Sequence, residues 1–240
     1  MKARVRFSKL GKIRWTSHRD LARMWERAFR RVELPLAYTQ GFSPRPKVSF
    51  GLALPTGYES VAEYLDIELD ATRVVELDVS TLSTQLSAAL PAGVDVMAAA
   101  IIDDRATSLQ EEVTSTEWDV WVAASPVRPL RELVEEALAA DSLVVTRERK
   151  GKQVEEDVRP GILSLTVESD EHLRAELGTQ PRALRPAELL AAIDASLVEA
   201  RVRRLSQWIS RSDGARDEPL AVPPDALADA PPTTATLERV

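Results

Sequence analysis

Val5 and Phe7 alternate with Arg4, Arg6 and Ser8, the period-two pattern of a half-buried strand, and Gly11 supplies a turn after it. From Ser17 the period changes. Leu21, Met24, Trp25, Ala28, Phe29 and Val32 recur at three- and four-residue intervals, the stripe of an amphipathic helix. Ser17 with Asp20 makes a capping-box-like start, and Pro35 stops the helix near Val32 or Glu33. A Gly/Pro loop from Gln40 to Lys47 leads to a second strand over 48–53, closed by Pro55-Thr56-Gly57. Over 62–70, Leu65, Ile67 and Leu69 face one way and Tyr64, Asp66, Glu68 and Asp70 the other, a third strand. Val79, Leu82, Leu86 and Leu90 have helical spacing, Pro91-Ala92-Gly93 ends that helix, and 94–102 reads as a fourth strand.

The order βαββαβ is that of a ferredoxin-like unit, with its first and third strands antiparallel neighbours and both helices on one face. Arg4 and Arg6 on the outer face are then expected beside Asp66 and Glu68 as opposite-charge cross-strand pairs. After an irregular or helical stretch near 104–114 a second cycle begins. It has strands over 117–123 and 202–208, helices over 129–140 and 186–193, and hairpins over 143–158 and 162–177. The predicted fold is α+β: two tandem ferredoxin-like units over 1–104 and 115–210, the second carrying an inserted β-hairpin. Residues 211–240 are predicted to be a disordered tail, because from Asp213 Pro and Ala dominate without period.

Composition narrows the chemistry. The 240 residues carry 44% hydrophobic and 29% charged side chains, and no apolar run is long enough to span a bilayer. Met1 to Arg6 contain no apolar signal core, so a cytoplasmic chain without membrane contact is expected. There is no cysteine, which excludes disulfides, thiolate nucleophiles and Cys-held zinc or iron–sulfur clusters; with only His18 and His172 as imidazoles, no metal site is assigned. The net charge of −7 hides an asymmetry. Residues 1–50 hold 13 Lys+Arg against 3 Asp+Glu, while the other 190 hold 18 against 35. A basic opening on an acidic chain points to a local polyanion-binding face. Arginine outnumbers lysine 25 to 6, so the placement of arginines carries more weight than their number.

On the first helix, Arg19, Arg23, Arg27, Arg30 and Arg31 form one stripe away from the apolar face. Like charges at these spacings cost roughly 0.2–0.5 kcal/mol per pair, which a phosphate backbone or an acidic surface would relieve. The loop adds Gly41, Phe42, Ser43, Arg45 and Lys47: backbone N–H groups, a stacking ring and two cations, stiffened by Pro44 and Pro46. It lacks the GK[ST] ending of a nucleotide-binding Walker loop. These ten residues are the candidate RNA-binding set, with an ordinary solvated face and connector as the alternative. No catalytic residue is assigned; His18, at the start of the helix, is the alternative candidate for acid–base RNA cleavage. The acidic row Tyr64, Asp66, Glu68, Asp70 spaces its carboxylates too widely for one cation and argues against base stacking on that sheet face. Trp118 and Trp121 are an odd number of positions apart, so at most one points into the core. Arg147, Arg149, Lys150 and Lys152 form a second basic element, with Glu155, Glu156 and Asp157 near enough to neutralise it.

Residues 3–70 resemble the radical-SAM-linked domain family of unknown function. The resemblance is carried by Thr16-Ser17-His18-Arg19-Asp20-Leu21, Arg27-Ala28-Phe29-Arg30-Arg31, Tyr38-Thr39-Gln40-Gly41-Phe42-Ser43-Pro44-Arg45-Pro46 and Glu63-Tyr64-Leu65-Asp66-Ile67-Glu68-Leu69, and extends more loosely to about residue 210. It implies a stand-alone partner of a radical SAM enzyme. Any iron–sulfur cluster, S-adenosylmethionine or cobalamin would belong to that enzyme, with no cofactor in this chain. The expected function is an accessory module that binds RNA, of the tRNA or rRNA class, or presents substrate. The alternatives are a metal-independent RNA-processing endonuclease using His18 and a protein–protein adaptor with no nucleic acid.

Overall fold

Alternation and amphipathic spacing translate into a mixed α+β architecture built on one large, mostly antiparallel sheet. The structure is a computed structural model and describes residues 1–73, 78–123, 128–149 and 151–222. The first half contains β1 (Lys2–Lys9), α1 (His18–Arg31), β2 (Val48–Phe50), β3 (Glu59–Glu68), α2 (Val79–Ala89) and β4 (Val96–Ile102). A short α3 (Leu109–Glu112) leads to β5 (Ser115–Val122) and α4 (Leu130–Ala139), then to the hairpin β6 (Val144–Arg149) and β7 (Lys152–Asp157). The chain continues through β8 (Ile162–Ser169), β9 (His172–Gly178), α5 (Pro186–Ile193), β10 (Glu199–Ser210) and β11 (Arg216–Asp217). Among the described residues no helix is long and apolar enough to cross a membrane.

The strands run in the order β4-β1-β3 with β2 on the far side of β3, and β10-β5-β9-β8 in the second half. Each half therefore has a βαββαβ connectivity with the first and third strands central, and the hairpin β6–β7 forms a separate two-stranded sheet. The halves join where β3 meets β10 in parallel, Glu59 opposite Arg203 and Ser60 opposite Arg204, while β2 pairs farther along the same edge at Leu65–Ile67. β3 thus starts at Glu59 rather than at 62, because β10 supplies hydrogen-bond partners that the residue pattern does not reveal.

The helices cover one face of the sheet in each half. In the first, Trp25 is fully buried and meets Phe7 edge-on at 5.0 Å, among Val5, Leu65, Ile67 and Leu82. In the second, Leu133, Leu189 and Leu190 pack on Trp118, Val120 and Leu173. Burying each such side chain stabilises the fold by about 1.5–3 kcal/mol before entropy is counted. Gly93 holds a left-handed φ of 91°, and a Cβ there would lie 2.5 Å from the Leu10 carbonyl, so the α2–β4 turn has no room for a larger residue.

Two expectations are corrected on the outer face of the first half. Arg4 pairs with Asp66 as expected, through Nε at 2.7 Å and Nη2 at 3.0 Å. The antiparallel register, however, places Arg6 opposite Tyr64 and Glu68 opposite Lys2. Arg6 instead pairs with Glu218, and Glu68 accepts from Lys47 at 2.9 Å. The second correction concerns the assignment of 211–240 to a disordered tail. Residues 216–217 form β11 against β10, the Pro219 carbonyl faces Arg4, and Leu220 packs beside Ala62, Tyr64 and Leu109. The buried arginines of the sheet supply the partners that hold this aperiodic segment in place; residues 223–240 lie outside the described residues.

Candidate nucleic-acid interface

The apolar stripe of α1 fixes which way its arginines point. Leu21, Trp25, Ala28 and Phe29 are buried against the sheet, and Ser17 caps the helix, its Oγ accepting from the Asp20 N–H at 3.2 Å and donating to the Asp20 carboxylate at 2.8 Å. Arg19, Arg23, Arg27, Arg30 and Arg31 are consequently all exposed, within an arc of about 120° and over a length of about 18 Å. Two of them have internal roles. Arg23 pairs with Asp20 at 3.3 Å, and Arg31 donates to the Ala89 carbonyl at the end of α2 at 2.9 Å. Arg19, Arg27 and Arg30 have no ion-pair or hydrogen-bond partner among the described residues.

The loop that follows α1 is braced at its base. The Thr39 N–H donates to the Arg45 carbonyl at 2.9 Å, the Arg45 N–H to Thr39 Oγ1 at 3.0 Å, and the Lys47 N–H to the Ala37 carbonyl at 2.9 Å. Gly41 takes φ = 135°, open to glycine and strained for other residues. The outcome is a tight projection with Phe42 entirely exposed at 105% and Gly41, Ser43 and Arg45 exposed around it. Arg45 has no side-chain partner among the described residues, whereas Lys47 is engaged by Glu68. A loop braced at its base that presents an aromatic ring and a guanidinium to solvent is suited to stacking and phosphate contact.

His18 sits exposed in the first turn of α1, its ring edge-on to Phe50 at 4.9 Å. It borders a cavity of about 20 Å³, shared with Lys9 and Glu63, which has room for one water. Among the described residues no carboxylate hydrogen-bonds the ring to orient it. Behind it, burial pushes the Glu63 carboxyl up against the opposing pull of Arg204 and Lys9, and burial lowers the Lys9 ammonium. Lys9 Nζ donates to the Thr16 carbonyl at 3.0 Å, just before the α1 cap.

The seam between the halves is ionic. Glu59, nearly fully buried, accepts from Arg201 at 2.7 Å, Arg203 at 3.0 Å and the Gly11 N–H at 3.0 Å. Burial alone would raise its carboxyl, but these donors outweigh it and hold the group below its ordinary value. Arg204 joins the halves a second time, bonding Glu63 at 3.1 Å and the carbonyls of Leu52 and Ala53 at 3.0 and 3.1 Å.

Of the other residues singled out by sequence, the acidic row is divided among separate partners: Asp66 with Arg4, Glu68 with Lys47, and Asp70 with the Thr72 N–H and hydroxyl. Trp118 is buried, and Trp121 lies on the opposite face between His172, stacked at 4.5 Å, and the Arg201 guanidinium at 5.1 Å. In the inserted hairpin Arg147 pairs with Glu156 at 2.8 Å; Lys150 and the Arg149 side chain lie outside the described residues. The sequence pattern overlooks Trp15, which is 65% exposed with the Arg14 guanidinium over its ring at 5.2 Å. The signal was present in Lys12-Ile13-Arg14-Trp15, a basic run ending in an aromatic.

No curated protein matches the chain. Among solved structures it is similar to a chain of the crystal structure of a Cbf5-Nop10-Gar1 complex, at 13% identity and a TM-score of 0.46, covering 85% of this chain and 48% of that one. This protein thus spans about half the length of that chain. Residues 2–186 match the family model described as "Uncharacterized protein conserved in bacteria (DUF2344)", and the chain belongs to that family.

Proposed function

We propose that this protein is an accessory RNA-binding module that acts with a radical SAM enzyme, holding or presenting RNA of the tRNA or rRNA class while the partner supplies catalysis. The observation that carries the reading is the set of exposed arginines on α1 that no acid among the described residues neutralises, Arg19, Arg27 and Arg30, together with the braced loop bearing Phe42 and Arg45. Guanidinium groups spaced along about 18 Å of helix match a run of backbone phosphates, and Phe42 adds a sequence-tolerant stacking surface. Without a thiolate in its sequence the chain has no ligand for a cysteine-held cluster, so the cluster belongs to the partner in this scheme. The partnership itself rests on the sequence resemblance.

Binding of a structured RNA by the purified chain, measured across salt concentrations, tests the reading. Affinity is expected to fall with salt at a log–log slope of about −3 or steeper, and Arg19→Glu with Arg27→Glu to shallow the slope by about 1.4 and weaken binding at least about 100-fold. RNA binding that ignores salt, or that survives the double charge reversal, sinks the reading. RNA cleavage by the chain alone that is lost in His18→Ala would favour the endonuclease instead.

A further inference from the structure

A second feature is independent of α1. Between the inserted hairpin, the start of α5 and the 52–55 segment of the first half lies a cleft of about 540 Å³. Sites for small molecules typically enclose 300–1,000 Å³ and favour the junction between structural units. Its lining combines apolar side chains, Leu52, Leu54, Pro55 and Leu184, with the guanidiniums of Arg147, Arg182, Arg185 and Arg204 and the carboxylates of Glu148 and Glu188.

The arginines differ in how they are occupied. Arg185, which precedes α5, is exposed and has no ion-pair partner among the described residues. Arg182 is locked by Glu156 and Glu188, each at 2.9 Å, so its guanidinium is fixed in place, yet its Nη2 has no partner despite being shielded from solvent. Arg204, 2% exposed, lies over Trp118 at 4.8 Å; its Nη atoms are used, and its Nε has no partner. Arg147, ion-paired with Glu156, is through its Nε a third lining guanidinium with a shielded donor and no hydrogen-bond partner, and such unsatisfied donors are costly. Of the two lining carboxylates, Glu188 is spent on Arg182 and on the Arg185 N–H, at 3.1 Å. That leaves Glu148 as the one lining carboxylate without a partner among the described residues.

We infer that this cleft binds a phosphomonoester, its phosphate held by Arg185 and Arg182 and its organic portion in contact with the apolar lining of Leu52, Leu54 and Pro55. A dianion with three terminal oxygens can take the planar fork of Arg185, whose side chain has no partner among the described residues, and accept from Nη2 of Arg182, whose Nε and Nη1 are held by Glu156 and Glu188. The two glutamates that grip Arg182 prepay its ordering, leaving less entropy to lose on binding.

Isothermal titration of the full chain tests this with three probes: inorganic pyrophosphate, uridine 5′-monophosphate and uridine. Pyrophosphate and the monophosphate should bind saturably at one site, with uridine at least tenfold weaker than its monophosphate. Arg185→Ala, which removes an exposed side chain, should weaken both phosphates about tenfold or more without shifting the melting temperature. Arg27→Glu, on α1, should leave both unchanged. Absence of saturable phosphate binding, equal binding by Arg185→Ala, or tighter binding of citrate than of pyrophosphate overturns the assignment. If instead Arg27→Glu abolishes the signal, the phosphates are being held at the polyanion face and the cleft assignment falls. A titration of 5′-phosphorylated against 5′-hydroxyl oligoribonucleotide then separates an RNA end from a free metabolite as the source of the phosphate.

Discussion

α1 and α4 occupy the same place in the two halves: each follows the first strand of its βαββαβ unit and packs an apolar stripe onto the sheet. Their buried sides are interchangeable in kind, Leu21, Trp25, Ala28 and Phe29 against Leu130, Leu133, Val134 and Ala137. Their exposed sides are opposite in sign. α1 presents five arginines beside Asp20, while α4 presents Glu132, Glu135 and Glu136 beside Arg131, with Arg128 bonded to Glu136 and placed 3.7 Å from Glu132. The fold constrains only the buried stripe, so nothing in the architecture requires α1 to be basic. Arg23 and Arg31 are engaged within the protein, as Glu132 and Glu136 are on α4, but Arg19, Arg27 and Arg30 have no partner among the described residues.

The largest test of the shared packing is Trp25→Ala, expected to cost about 3–5 kcal/mol, against Leu133→Ala in the second half at about 2–5 kcal/mol. Urea denaturation followed by tryptophan fluorescence should show a single transition in both, because the ionic seam couples the halves. Two separated transitions would mean that the units are independent and that the comparison is one between separate domains.

Glu59→Gln attacks that coupling directly. Removing the carboxylate leaves Arg201 and Arg203 without their buried negative charge, at a cost of about 3 kcal/mol at pH 7. The sign with pH follows from the lowered Glu59 carboxyl: its contribution is present above its ordinary value near 4.5 and is lost as pH falls through the lower folded value. Wild type and Glu59→Gln should therefore converge in stability only at a pH well below the ordinary glutamate value. A gap that stays constant down to that pH would assign the effect to packing rather than charge.

On the exposed faces, removing charge from α4 by Glu132→Gln with Glu135→Gln should leave RNA affinity within a factor of about two, while the charge reversal on α1 collapses it. Equal responses would reduce the contrast to net charge alone. The smallest effect belongs to the helix starts. α1 is capped by Ser17, whereas Pro129 gives α4 no side-chain cap, so Ser17→Ala should cost about 1 kcal/mol in a denaturant titration.

Much of this was legible in one dimension. The period change at Ser17, Pro35 and the alternation over 62–70 locate α1 and β3 to within a few residues, because side-chain periodicity is a local property of backbone geometry. The arginine stripe was legible for the same reason: a helix whose apolar side is known has its polar side determined. Trp118 and Trp121 separate onto opposite faces as parity requires.

What the residue pattern left open was pairing at a distance. That Arg6 takes Glu218 and not Glu68, that β3 shares an edge with β10, and that residues 218–220 fold back over the first half all depend on which strands become neighbours. Charges far apart in the chain carry no period that announces their partners. The apolar and polar order of the sequence therefore determined the elements, their faces and the basic side of α1. Only the tertiary structure decided which arginines were neutralised inside, because ion pairing depends on distance in space and the chain records only order along itself.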